Sequence, residues 1–272
     1  MFKSSDKPLI MGILNVTPDS FSDGGYFNNI TSALIQVEKM LNEGADIIDI
    51  GGESTRPYSL SVSSGEQVQR VIPVIKAIRK QLSSTVPISI DTRISSVAKM
   101  ALAEGADIVN DISAGQNDPN ILTVAAQYDC PIILMHIKGT PQTMQNDPSY
   151  NNVVSDVFSS LQKSAENAKA AGIKQEKIIL DPGIGFGKTS EHDLALLASL
   201  NQFVKSEYPI LLGASRKKFL NSILASDKPQ DLTLATSVTT ALAVMAGVKI
   251  IRVHDVKENR QALDVAWAIK QS

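Results

Sequence analysis

The side chains best equipped for chemistry in this 272-residue chain sit where short apolar runs end. Asn15 closes LIMGILN, Glu53 follows IIDIGG, Asp91 closes PISID, and Asn110 with Asp111 closes DIVND. His136 follows PIILM, Asp181 follows KIIL, Ser215 follows PILLGA, and Arg252 and His254 close KIIRVH. Carboxylates and amides accept and donate directed hydrogen bonds, while arginine and histidine stabilise developing negative charge. Taken singly, each has a plain structural reading, because Asp, Asn and Ser at strand ends cap helices or make turns. Eight such ends together point to one pocket if the strands deliver them to one place.

The elements that would do so follow a repeating grammar. An amphipathic stretch ends at a glycine and an apolar run follows, at Gly44, Gly105, Gly172 and Gly247. This predicts helices capped by left-handed glycines and followed by strands over 47–50, 108–112, 177–181 and 249–253. The remaining runs begin at Leu9, Pro87, Pro131 and Pro209. Their near-continuous Val, Ile and Leu content predicts parallel strands buried on both faces. Eight βα units lead to the expectation of a (β/α)8 barrel in one domain over residues 1–272, a length near the roughly 250 residues such barrels need. An open doubly wound sheet uses similar units and is the alternative. In a barrel, strand ends emerge on one rim, so residues distant in sequence converge there.

Composition narrows the function classes. With 26 Lys and Arg against 28 Asp and Glu, the formal charge of -2 gives no bulk electrostatic drive toward nucleic acid or an anionic membrane, so any anion must be bound by local design. The apolar stretch from Leu9 is too short for a signal-peptide core and is broken by Gly12, and no run approaches the roughly 20 residues that span a bilayer. Cys130 is the single cysteine and reads as a small buried hydrophobe. A cytoplasmic, reducing setting is expected. The three histidines, His136, His192 and His254, form no close pair for a zinc cage. DPGIGFGKTS imitates a phosphate loop, but Pro182 stands where its first glycine belongs.

Three loops are longer and more polar than turns require: NVTPDSFSDGG (15–25), GGESTRP (51–57) and DPGIGFGK (181–188). With SRK at 215–217 and RVHDV at 252–256, they closely resemble the dihydropteroate synthases, in register from about Leu9 to Trp267. The resemblance implies a barrel that joins 6-hydroxymethyl-7,8-dihydropterin diphosphate to 4-aminobenzoate, with Mg2+, as a homodimer. It implies Asp181, with Asp91 and Asn110, as acceptors and donors for the pterin, and Lys217 beside the pterin carbonyl. It assigns Asn15 to Mg2+, and Arg252 and His254 to the diphosphate. Ser215, expected at the start of a helix, would receive the 4-aminobenzoate carboxylate. Phe186 and Pro57 would wall its ring, and Asp23, Thr55 and Arg56 would close the loops over the site. Tyr58 and Ser59 follow ESTRP where the family more usually has a glycine and a small residue, and Tyr58 bears on how 4-aminobenzoate, and the sulfonamides that imitate it, would enter. A related barrel, the pterin-binding methyltransferase domain, shares the Asp and Asn contacts but has no use for the diphosphate group. A catalytically silent pterin-binding barrel would have lost Asn15, Arg252 or His254, and all three are present.

Overall fold

In the computed structural model of the protein, residues 6–17, 25–226, 228 and 231–272 are described. Asp23 lies outside the described residues. The strands are β1 (Leu9–Asn15), β2 (Ile47–Gly51), β3 (Ile88–Asp91), β4 (Ile108–Asp111), β5 (Ile132–Met135), β6 (Ile178–Asp181), β7 (Leu211–Leu212) and β8 (Ile250–Val253). Between and after them run α1 (Gly25–Asn42), α2 (Ser64–Gln81), α3 (Ser95–Ala103), α4 (Asn120–Gln127), α5 (Val153–Ala170), α6 (Ser190–Ala198), α7 (Leu200–Val204), α8 (Lys218–Leu224), α9 (Leu232–Ala246) and α10 (Val256–Gln271). The strands pair in parallel in the order β6-β5-β4-β3-β2-β1-β8-β7. A parallel bridge between Leu180 and Ile210 joins the two edges. The sheet is therefore a closed (β/α)8 barrel, and the open doubly wound alternative falls.

The glycine punctuation works as expected. Gly44, Gly105, Gly172 and Gly247 all take φ between 96° and 107°. Directly after them, Ala45, Ala106, Ile173 and Val248 donate to the carbonyls of Met40, Ala101, Ala168 and Ala243. This left-handed closure satisfies carbonyls that the helix end leaves open. Helix α4 closes the same way without glycine: Asp129 takes φ 49° and Cys130 donates to Ala125. There, Lys174 and Lys177 pair with the Asp129 carboxylate.

Strand alternation sorts the barrel into an outer and an inner face. Ile48, Ile50, Ile88, Ile90, Val109, Ile132 and Leu134 belong to the large core shared with the helices. Met11, Ile47, Ile108, Ile133, Ile179, Leu211 and Ile250 form a separate apolar cluster inside the barrel. Each such side chain, fully buried, contributes about 1.5–3 kcal/mol. Two residues further along each strand, the side chain points inward again, one layer nearer the rim. That layer reads Ile13, Asp49, Asn110, Met135, Asp181, Gly213 and Arg252, with Asp91 contributed by β3. A dry floor thus carries a polar storey. Among the described residues, no helix is long and apolar enough to cross a membrane.

Candidate active site

Arg252 organises the polar storey. Its Nε donates to Asp49 Oδ2 at 2.7 Å and its Nη2 to Asp91 Oδ2 at 2.6 Å. Asn110 reaches the same Asp49 carboxylate from β4, at 3.2 Å to Oδ2. Asp181 completes the ring from β6: a methyl placed on Gly213 would lie 3.9 Å from both Asp181 Oδ2 and Arg252 Cβ. Glycine at that point, just after β7, keeps open the space between these two groups.

The buried charges perturb one another. Burial pushes the Asp91 carboxyl up to about 7, with Arg252 opposing and Asp49 adding to the rise. Burial likewise raises Asp181 to about 6, against the pull of the Gly183 N–H, Lys217 and Arg252. Lys217 is brought down to about 8 by burial and by Arg252, with Asp181, Asp193 and Asp91 opposing. Arg252 stays above its usual range because Asp49 and Asp91 outweigh its own burial. Groups with such opposed environments clustered at one rim mark a site built for charge.

Lys217 and Phe186 meet across two loops, with Nζ 3.9 Å from the ring centroid, a cation–π contact. The Asp181 Oδ1 accepts the Gly183 N–H at 2.7 Å, which starts the glycine loop that carries Phe186. His254 pairs with Ser215: Nδ1 lies 2.9 Å from the hydroxyl, and the His254 backbone N–H donates to it at 3.2 Å. Burial, then Arg252, Arg216 and Lys217, hold the His254 imidazole neutral, down at about 3.

Several sequence expectations change here. The helix expected directly after Ser215 begins only at Lys218, with Lys217 in the N-cap position. Arg216 intervenes in the left-handed region, at φ 55°, and pairs with Asp255. Ser215 therefore caps no helix. Glu53 faces Arg93 at 3.1 Å and the Val62 N–H at 3.0 Å, so it anchors the loop after β2. Asp111 accepts from Ser113 and Gly115 in a turn. His136 faces the buried ammonium of Lys188. For these three residues the structural reading holds. Asp49, in contrast, is not among the strand-end residues, yet it is fully buried and ties Arg252 to Asn110. The signal is a carboxylate in the middle of the run IIDIG, in phase with the inward-facing Ile47.

Thr55, Arg56 and Pro57 sit on the loop after β2, with Arg56 and Pro57 exposed and outside the Arg252 network. Tyr58, next to them, takes φ 65° and is 67% exposed. That conformation favours glycine and costs other residues about 1–2 kcal/mol, which gives a physical reason for a glycine there. Tyr58→Gly is expected to stabilise the fold by up to about 1 kcal/mol. Denaturant midpoints would check it, and a loss of stability would mean that the ring holds the loop. His192 and Asp193 also have local work: Thr189 and His192 form a capping box at α6, and Asp193 accepts the Gly185 N–H at 2.7 Å.

Asn15 ends β1 at the same rim, beside Gly51 of β2. Among the described residues, no three His, Cys, Asp or Glu side chains gather in a way that could hold a metal. Asn15 is half-buried there and carries one amide oxygen, a donor type that suits a hard cation whose other ligands are substrate and water.

A sequence model of the family described as pterin binding enzyme matches residues 11–254. The dihydropteroate synthase of Synechocystis sp. is 46% identical over 269 residues, covering 99% of this chain and 92% of that protein. That of Haemophilus influenzae is 49% identical over 259 residues, covering 95% and 92%. Among solved structures, the Yersinia pestis dihydropteroate synthase with a sulfonamide drug superposes with a TM-score of 0.92 at 42% identity, covering 100% of this chain and 97% of that one. The Xanthomonas albilineans dihydropteroate synthase in complex with 7,8-dihydropteroate gives 0.89 at 35% identity, covering 100% and 96%.

Proposed function

From the premise that this chain belongs to the dihydropteroate synthases of the pterin-binding enzyme family, we propose how its own residues divide the work of the reaction. The substrates are 6-hydroxymethyl-7,8-dihydropterin diphosphate and 4-aminobenzoate. One observation carries the reading: Asp49, Asp91, Asn110, Asp181 and Arg252, drawn from five strands, share one polar storey above the barrel floor.

The pterin ring presents adjacent N–H donors, and a carboxylate receives two of them in parallel. Asp181 is that acceptor. Asp91 commits Oδ2 to Arg252 and offers Oδ1 to the ring, while Asn110 supplies an amide that can donate or accept. Lys217 reaches the pterin carbonyl as a compact cation. The C–O bond to diphosphate then breaks, its electron pair leaving with the diphosphate, and the dihydropterin delocalises the positive charge left behind. The arylamine nitrogen of 4-aminobenzoate bonds to the exocyclic carbon and loses a proton. Stabilising the departing anion matters more here than a strong base.

Arg252 is oriented for that task by Asp49 and Asp91 before any substrate arrives, which is electrostatic preorganisation. His254, neutral at working pH, donates one N–H to a phosphate oxygen. Asn15 would hold Mg2+ through its amide oxygen, and the ion would supply charge neutralisation for the diphosphate. Asp23, Thr55 and Arg56 serve to exclude water from the cation. Phe186 and Pro57 wall the 4-aminobenzoate ring, and Ser215 receives its carboxylate by turning its one O–H proton away from His254 Nδ1.

Incubating the purified protein with pterin diphosphate, 4-aminobenzoate and Mg2+ tests the whole, with dihydropteroate read by mass. No product at saturating substrates would remove it. Ser215→Ala is expected to raise KM for 4-aminobenzoate. Because the same hydroxyl holds His254, an effect confined to the pterin substrate would move Ser215 to the diphosphate group instead.

A homodimer and a cytoplasmic setting belong to the same reading. Helix α9 exposes Leu234, Val238, Leu242 and Met245, spaced along one face, and the neighbouring α10 exposes Val265 and Ile269. An apolar face of that kind suits a second copy of the chain. Leu242→Asp should shift the mass in light scattering from dimer to monomer, and an unchanged mass would place any dimer contact elsewhere.

A further inference from the structure

Lys188 is the one buried cation of the β6–α6 loop to which the roles above give no work. Its Nζ donates to Gly183 O at 2.8 Å and to Phe186 O at 3.0 Å, and faces His136 Nδ1 at 3.0 Å. The imidazole is held neutral, at about 3, by its burial and by Lys188, so Nδ1 is free to accept. Counting the His136 carbonyl at 3.4 Å, four acceptors surround this one nitrogen, a setting that favours an ammonium with three donors even as burial brings Lys188 down to about 7 against the pull of Asp193 and Asp181. Two residues from the segment between β5 and α5 continue the grip: Gln145 Nε2 donates to Gly185 O at 3.0 Å, and the Tyr150 hydroxyl to Gly187 O at 2.7 Å. Four carbonyls within five residues are therefore each held by a side chain from behind.

The front of the same loop touches Lys217 twice. The Phe186 ring lies 3.9 Å from its Nζ. At Gly185, whose φ is +81°, an added Cβ would come within 3.0 Å of Lys217 Cδ, so the backbone itself packs on the lysine stem. Any shift of the loop moves both the aromatic wall and the cation.

We propose that Lys188, with Gln145 and Tyr150, is a positioning clamp that fixes the Gly183–Gly187 loop and thereby sets the Phe186 ring for the arylamine substrate. This rests on the reading that Phe186 lines the 4-aminobenzoate subsite. The pterin contacts Asp91, Asn110 and Asp181 project from strands β3, β4 and β6, and the clamp reaches them only through the Asp181–Gly183 hydrogen bond and the Lys217 stem, so KM for 4-aminobenzoate should respond more than KM for pterin diphosphate.

The test is steady-state kinetics in both substrates on Lys188→Met, Gln145→Ala and Phe186→Leu. Lys188→Met is expected to raise KM for 4-aminobenzoate about tenfold, and Gln145→Ala, at a half-buried residue, about threefold. KM for pterin diphosphate and kcat should stay within about threefold of the parent. A merely structural role would lower the active fraction, and so kcat, without moving KM. If Phe186→Leu raises KM for 4-aminobenzoate while a folded Lys188→Met does not, the clamp is overturned and the Phe186 reading stands. If Phe186→Leu leaves that KM unchanged, the reading of Phe186 fails and the clamp's stated purpose with it. Should Lys188→Met not fold, Gln145→Ala decides, and an unchanged KM there overturns the proposal.

Discussion

Replacing Arg252 with methionine is expected to lower kcat/KM by about three orders of magnitude or more, while leaving a protein that folds. Methionine retains most of the apolar stem and removes the guanidinium. Losing one donor aimed at developing negative charge typically costs about 10²–10³ in rate, and arginines that stabilise phosphoryl charge in other enzymes are worth about 10³–10⁵. Arg252 contributes more than one N–H, is 19% exposed, and is held in place by two carboxylates. The structural cost is separable from the chemical one. Removing one partner of a buried pair typically destabilises by about 3–5 kcal/mol, because the other charge is left uncompensated. Asp91 can relieve part of this by taking up a proton, since burial already pushes its carboxyl up to about 7.

A second substitution separates the two costs. Asp49→Asn added to Arg252→Met takes away the other stranded charge, so denaturation should show stability returning while turnover does not. If Arg252→Met alone kept kcat/KM within about tenfold of the parent, the assignment of Arg252 to the leaving group would be wrong.

Asp49 also shows how the sequence can and cannot be read. Strand ends are easy to find because an apolar run stops, so Asp91, Asn110, Asp181 and Arg252 are visible as candidates. A residue in mid-run is hidden by its neighbours, and Asp49 emerges only when the two-residue alternation is followed inward from Ile47. Conversely, Glu53, Asp111 and His136 occupy strand ends but turn to Arg93, to a local turn and to Lys188. Strand position fixes which rim a side chain reaches, and only tertiary partners decide whether it faces the ligand.

Backbone punctuation is more legible than side-chain allegiance. The four capping glycines announce helix ends because a left-handed closure penalises residues with a Cβ. The start of α8 is not announced: Arg216 takes a left-handed φ that its residue type does not advertise, and the partner that secures it, Asp255, lies 39 residues away. The apolar run from Pro209 marks the place of the seventh strand, yet only Leu211–Leu212 count as strand, because the ladder to β6 is reduced to the Leu180–Ile210 bridge. The family resemblance supplies what local pattern does not, namely which of the rim residues serve which substrate.

The second large effect is expected at Asp181. Asp181→Ala should weaken binding of the pterin diphosphate by about 2–5 kcal/mol, the range for losing a buried charged contact. At about 1.4 kcal/mol per decade, that is roughly thirtyfold to a few thousandfold in Kd. Equilibrium titration with the pterin substrate, without 4-aminobenzoate, measures it, and an unchanged Kd would refute the assignment. A proton accompanies the effect. The free site holds Asp181 at about 6, and pterin N–H donors favour the ionised carboxylate, so binding near pH 6 should release a proton. Calorimetry in two buffers of different ionisation heat would detect that release in the parent protein, and it should vanish in Asp181→Ala. The same shift governs the stability of the free protein. An aspartate carboxyl ordinarily titrates at 3.8 and this one at about 6 when folded, so between those values the folded state binds more protons than the unfolded chain. This contribution to stability is full below about pH 4 and is lost as pH rises through about 6, and Asp181→Ala should flatten that part of the profile. Pterin binding works against this dependence, because a ligand that prefers the carboxylate offsets the very cost of keeping it charged in the barrel.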